Sequence, residues 1–206
     1  MFGENFSVSV MEIITSVIAI TYTIISHECA HGLVAYWNGD PTAKEAGRLT
    51  LNPISHIDPV GLVSLLIFRF GWAKPVPINP NRFHHERLGM LTTSLAGVTM
   101  NFMSALLAAI LLPRVSNSIL QLLLMQIMTY GVFFGAFNLL PIPPLDGSKV
   151  IITFLPRKWQ MQVYRWERYS LWILPVVVFS GLFSSLAQPI TEALLRGVLD
   201  LSFRML

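Results

Sequence analysis

His27, Glu28 and His31 stand in the order H-E-x-x-H, with Cys29 and Ala30 between them. On a helix that turns about 100° per residue, the two histidines lie about 40° apart and Glu28 about 100° from His27, so two imidazoles and a carboxylate share a face. Neutral imidazoles are zinc ligands, and a carboxylate beside a zinc-bound water can take its proton as the water attacks a carbonyl. Glu28 is therefore the candidate general base of a hydrolytic site. Cys29 points away from that face and reads as a packing residue.

The motif sits in apolar sequence. Ile13 to Ser26 carries no charge and the apolar character resumes to Trp37, longer than the ~20 residues a spanning helix needs. Ionisable side chains there are costly without a partner, which favours a bound ion over a polar contact between helices. Of 206 residues, 53% are hydrophobic and only 12% charged, the composition of an integral membrane protein. The lipid bilayer is thus an expected partner. The net charge of +3 forms no basic stripe, so nucleic acid is not expected. A lone cysteine excludes an intrachain disulfide and a Cys-rich metal site, leaving nitrogen and oxygen ligands. Residues 1–10 contain Glu4 and no Lys or Arg, unlike a secretory signal, so the first helix is expected to be retained.

The elements that must position the motif follow from hydropathy and breakers. Spans are expected at about 10–37, 88–112, 119–140 and 169–187. Asn38-Gly39-Asp40-Pro41 ends the first. Across 46–80, Arg48 to Asn52 alternates like a short strand and Gly71 to Pro80 is proline-punctuated extended chain. Between them Val60 to Phe68 is apolar but too short to cross ~30 Å, so it reads as re-entrant or interfacial. Thr93, Gly97, Asn101, Ala105 and Ala109 recur every fourth residue in the second span, a stripe for close helix approach with Asn101 as helix glue. Gly131 and Gly135 form a G-x-x-x-G pair in the third, a weak sign of a homo-oligomer that internal packing would also explain. Pro141, Pro143 and Pro144 break that helix before Asp146, and irregular backbone at that depth implies a protein-lined cavity. Pro175 is expected to kink the fourth span. In the tail, 190–206, Glu192, Arg196, Asp200 and Arg204 share one arc, as in an amphipathic helix on the membrane surface. The fold class is an α-helical multi-pass membrane protein: about four spans, a re-entrant, β-like segment and an amphipathic tail in a single domain over 1–206.

Basic residues cluster after the first and third spans, which places those loops in the cytoplasm and the N-terminus outside a cell membrane. His31 and His27 then lie roughly 9 and 15 Å from the cytoplasmic end of the first span, and Asp146 lies just past the cytoplasmic end of the third. The same depth makes Asp146 a candidate third ligand, against its plainer reading as a turn or N-cap residue before Gly147. Two histidines and a carboxylate with an open fourth position are a catalytic zinc set, one Zn2+ per chain. His56, His84 and His85 read as solvated or turn-bonding, and the tryptophans, mostly near span ends, as an interfacial belt.

At these residues the chain resembles the site-2 protease family of intramembrane zinc metalloproteases, which pairs a membrane-embedded H-E-x-x-H with a distant L-D-G. Further likeness lies in Asn52 to Pro59, Gly71 to Pro80, Ala96 to Asn101 and Asn138 to Gly147, together most of residues 20–150. The resemblance implies zinc on His27, His31 and Asp146, Glu28 as general base, Asn138 as a binder of substrate backbone, and cleavage of another protein's transmembrane helix. An amide at residue 138 could hydrogen-bond an unwound strand, and the extended segments near 48–52 and 72–80 could add a sheet edge for it. Many larger relatives carry a PDZ or nucleotide-sensing domain, for which 206 residues leave no room, so a separate membrane regulator is expected. Two other classes use the same residues: a divalent-metal transporter or binding protein, and a catalytically silent relative that clamps helices.

Overall fold

In the computed structural model, residues 2–68, 71–167, 169 and 182–204 are described. Helix α1 spans Phe2–Trp37. It ends where Gly39 adopts φ +103°, a left-handed conformation that glycine enters without steric cost. The turn is then pinned by Asp40. This fully buried carboxylate accepts hydrogen bonds from the Thr42 amide (3.0 Å), the Thr42 hydroxyl and the Asn79 amide (2.6 Å). One acidic side chain thus ties the end of α1 to the chain that leads into the next long helix.

A short helix α2 (Thr42–Glu45), a 3-10 turn at Pro53–His56 and the ten-residue helix α3 (Pro59–Phe68) fill the following segment. Helix α4 covers Glu86–Leu111, and α5 covers Ser118–Asn138. The Asn117 side chain caps α5 by accepting from the Leu120 amide at 3.0 Å, which satisfies one of the free N–H groups of its first turn. Three further helices follow: α6 (Asp146–Phe154), α7 (Arg157–Glu167) and α8 (Leu182–Arg204).

Helices α1, α4 and α5 pack on one another. Tyr22 and Ser104 share a hydrogen bond between α1 and α4 (3.2 Å), and Gln126 of α5 donates to Ser16 of α1 (2.9 Å). Small residues permit the approach. A Cβ on Gly131 would lie 2.8 Å from the Asn101 carbonyl oxygen, and one on Gly135 2.9 Å from the Phe102 ring. The G-x-x-x-G pair is therefore consumed in packing α5 on α4. Ala105, Ala108, Ala109, Leu124, Met128 and Val132 form the buried cluster between these helices.

Segments Val10–Trp37, Glu86–Arg114 and Ser118–Asn138 are long and apolar enough to cross a membrane, within two residues of three of the expected spans. The described residues thus hold three such helices, not four; most of the expected 169–187 span lies outside them, and Leu182 already opens α8. The β-like segment also requires correction. Among the described residues 46–80 contains no strand, only an isolated antiparallel bridge between Ile57 and Ala73. Prolines at 53, 59, 75, 77 and 80 each lack the N–H a ladder needs, and Asn52 bends the chain by accepting from the Ile54 amide. Helix α3 is as short as its apolar run, and Val60, Val63 and Ile67 are exposed.

The tail differs from a helix lying alone on a surface. Leu194, Leu195, Val198 and Leu199 of α8 pack against the α4–α5 cluster, while Glu192, Arg196, Asp200 and Arg204 stay exposed. The alanines of α4 leave a groove that this apolar face fills. Because Gly131 meets the α4 backbone, Gly131→Val should lower stability by about 1–3 kcal/mol through overpacking. Thermal unfolding in detergent measures this, and an unshifted transition would show that α5 does not depend on that contact.

Candidate metal centre

The centre is built from α1, α4 and the start of α6. His27 and His31, one helical turn apart on α1, are both buried, and their rings meet edge to face at 86° with centroids 4.5 Å apart. Asp146, 115 residues beyond His31, comes to them from α6. Its Oδ2 lies 3.1 Å from Nε2 of His27 and 3.0 Å from Nε2 of His31, and the two Nε2 atoms are 2.9 Å apart. The expected convergence of the two loci is thus met in the fold. Asp146 is the first residue of α6, yet its side chain does not cap that helix; the carboxylate is turned to the histidines instead of serving the turn.

Chain geometry forces that position. A Cβ on Gly147 would fall 2.1 Å from the Leu139 carbonyl oxygen and 2.6 Å from that of Leu140. Only glycine lets the start of α6 lie this close to the end of α5, where the prolines at 141, 143 and 144 have already turned the chain. The negative charge also benefits from the positive end of the α6 dipole. Burial alone would raise the Asp146 carboxyl; hydrogen bonding to His27 and His31, with the Lys149 ammonium 3.7 Å away, outweighs it and holds the group well below the usual carboxylate range.

Helix α4 closes the centre from behind through residues at one spacing. The His31 Nδ1–H donates to the Thr93 carbonyl at 2.6 Å. Gly97 faces both rings, and a Cβ there would lie 2.5 Å from His31 Nε2 and 2.6 Å from His27 Nδ1. Asn101, 1% exposed, sets its amide nitrogen 3.1 Å from His27 Nδ1. Asn101 thus makes the expected bond between helices, and its partner on α1 is a residue of the centre itself. The four-residue spacing from Gly97 was the available sign of this, but it could not say which neighbour the amide would meet.

Glu28 is outside the His–His–Asp cluster, and its Oε2 accepts from the Val76 amide at 2.8 Å. Val76 was not foreseen, since a backbone N–H leaves no mark in residue types. Cys29 donates to the Thr50 carbonyl at 3.1 Å, away from the histidines. The same oxygen accepts from His56 at 2.8 Å. His56 is thus buried and turn-bonded rather than solvated, whereas His84 and His85 are exposed. Asn138 is not brought to the cluster by any hydrogen bond; its amide donates to the Phe134 carbonyl one turn back, at 3.0 Å.

The residues fit a zinc ion. Ligand atoms of His27, His31 and Asp146 all lie within 4.8 Å of one another, and separations of 2.9–3.1 Å approach the about 3.3 Å edge of a tetrahedron with zinc–ligand bonds of about 2.0–2.1 Å. Two nitrogens and one carboxylate oxygen are the donor set of a zinc that keeps a position open.

The chain is 34% identical to "Putative zinc metalloprotease YwhC" of Bacillus subtilis (strain 168), across 95% of this chain and 93% of that protein. It belongs to that zinc metalloprotease family. No family model and no solved structure matches the chain. Membership and the buried donor set agree on the metal: the family name specifies zinc, and the fold supplies two imidazoles and a carboxylate to hold it.

Gly97→Ala should drive a methyl group into two rings that α4 already holds from behind. Zinc per chain, measured by atomic spectroscopy on purified protein, should fall from about one toward zero, as it should for His31→Ala. Full retention in Gly97→Ala would mean that the rings can retreat from α4.

Proposed function

We propose that the chain is an intramembrane zinc metalloprotease of the site-2 protease type, hydrolysing a peptide bond in or near a transmembrane helix of another membrane protein. The observation that carries this reading is the meeting of His27, His31 and Asp146 in a buried cluster whose histidines lie on a helix long and apolar enough to cross a membrane. A protease with its metal ligands inside a span acts on chains that share the membrane.

When bound, zinc lowers the pKa of a coordinated water to about 7 and polarises the substrate carbonyl. His27, His31 and Asp146 hold the ion. Glu28, the neighbour of His27 on α1, takes the proton of the attacking water and returns it to the leaving amine as the C–N bond breaks, so the carboxylate is regenerated. Burial keeps competing bulk water away from the ligands.

A helical substrate has its amides satisfied internally and must unwind to expose a carbonyl; the freed backbone groups then need partners. Asn138, the last residue of α5, is proposed to supply one by exchanging its bond to Phe134 for a bond to substrate. Basic loops after the first and third spans favour an N-terminus outside the cell membrane and a site near the cytoplasmic face.

The test pairs the full-length protein with a co-expressed single-span reporter. Glu28→Gln should keep its zinc while cleavage falls by roughly 100- to 10,000-fold, the loss expected for a general base. Undiminished cleavage would overturn the role of Glu28, and zinc flux without cleavage in the wild type would instead support a transporter. Asn138→Ala should retain zinc and cleave more slowly; an unchanged rate would remove it from substrate binding.

A further inference from the structure

Both zinc-ligand histidines present Nε2 to Asp146 and Nδ1 to α4. For His31 the consequence is fixed. A backbone carbonyl can only accept, so the bond to Thr93 keeps the proton on Nδ1 and leaves the Nε2 lone pair for a metal. His27 faces Asn101, which can donate or accept. In this structure the Asn101 Nδ2 donates to His27 Nδ1, an arrangement that leaves the His27 proton on Nε2, where it is directed at Asp146 Oδ2. That tautomer cannot bind zinc through Nε2. At the same time the Asn101 Oδ1 is buried with no hydrogen-bond partner, which is costly for an amide oxygen.

Both facts are resolved by one rotation. We propose that Asn101 is a positioning residue of the metal centre: when zinc binds, its amide turns so that Oδ1 accepts the His27 Nδ1 proton, holding His27 in the tautomer that offers Nε2. The inference rests on the zinc reading of the site. The orphan acceptor then gains a partner, a donor no longer faces a donor, and the two histidines are held alike, one by a carbonyl of α4 and one by an amide of α4. Such partners of ligand histidines fix the tautomer and ring orientation, and their loss weakens metal binding roughly 10- to 100-fold.

The experiment measures zinc affinity of the full-length protein in detergent by competition with a chromophoric chelator. Asn101→Asp, which can only accept when ionised, should bind zinc within threefold of the wild type or more tightly. Asn101→Leu, of similar volume, and Asn101→Ala should bind roughly 10- to 100-fold more weakly. Equal weakness in Asp and Leu would show that the donor matters and overturn the proposal, as would a Leu variant that binds like the wild type. A second measurement needs no variant: in the 15N spectrum of histidine-labelled, zinc-loaded wild type, both ligand histidines should carry the proton on Nδ1, and a His27 metallated at Nδ1 would overturn it. Failure of the wild type to bind zinc would instead overturn the reading beneath it.

Discussion

The Nε2 atoms of His27 and His31 and the Oδ2 of Asp146 are withdrawn from water into one small space, and the fold supplies what water no longer can. A buried carboxylate is tolerable only with partners. Asp146 has two imidazoles within 3.1 Å and an ammonium 3.7 Å away, enough to overcome the cost of burial that acts against its charge. The imidazoles are in turn held at their far nitrogens by α4. The centre is therefore a closed chain of polar contacts set inside apolar helices, and removing a member leaves another unpaired.

One stripe of α4 performs most of that closure. Thr93 contributes a carbonyl, Gly97 an absence of side chain and Asn101 an amide, each one turn beyond the last. The next members, Ala105 and Ala109, leave polar chemistry behind and pack against α5 and α8. The same spacing that brings helices together at one end holds the histidines at the other, so helix packing and ligand geometry are joined in a single face.

The H-E-x-x-H spacing, the uncharged spans and the breakers around Asp146 were readable because each acts locally or through a simple period. The order of the apolar segments was enough to suggest that Asp146 lies level with the histidines, although it is 115 residues from His31. The β-like segment was misread because the alternating residues 48–52 are turned by Asn52, whose side chain accepts from the Ile54 amide, and because three prolines in 71–80 remove the backbone donors a ladder needs. The tail's charged arc was legible, but its partner was not: nothing in α8 names the groove left by Ala105, Ala108 and Ala109. Asn101 was visible as a polar residue among small ones, yet its neighbour depends on how α4 rotates against α1. Contacts made by backbone atoms, the Thr93 carbonyl and the Val76 amide among them, have no residue-type signature at all.

The Val76 amide on Glu28 joins two parts of the chain 48 residues apart. Val76 belongs to an irregular stretch with no ladder to hold it, anchored by the Arg48 guanidinium on the Lys74 carbonyl and by the Lys74 amide on the His56 carbonyl. The carboxylate proposed to move a proton is thereby leashed to a loop, and a displacement of that loop would be transmitted to it. Arg48 and His56, which hold Lys74 two residues before Val76, so acquire a say in how the proposed base is held.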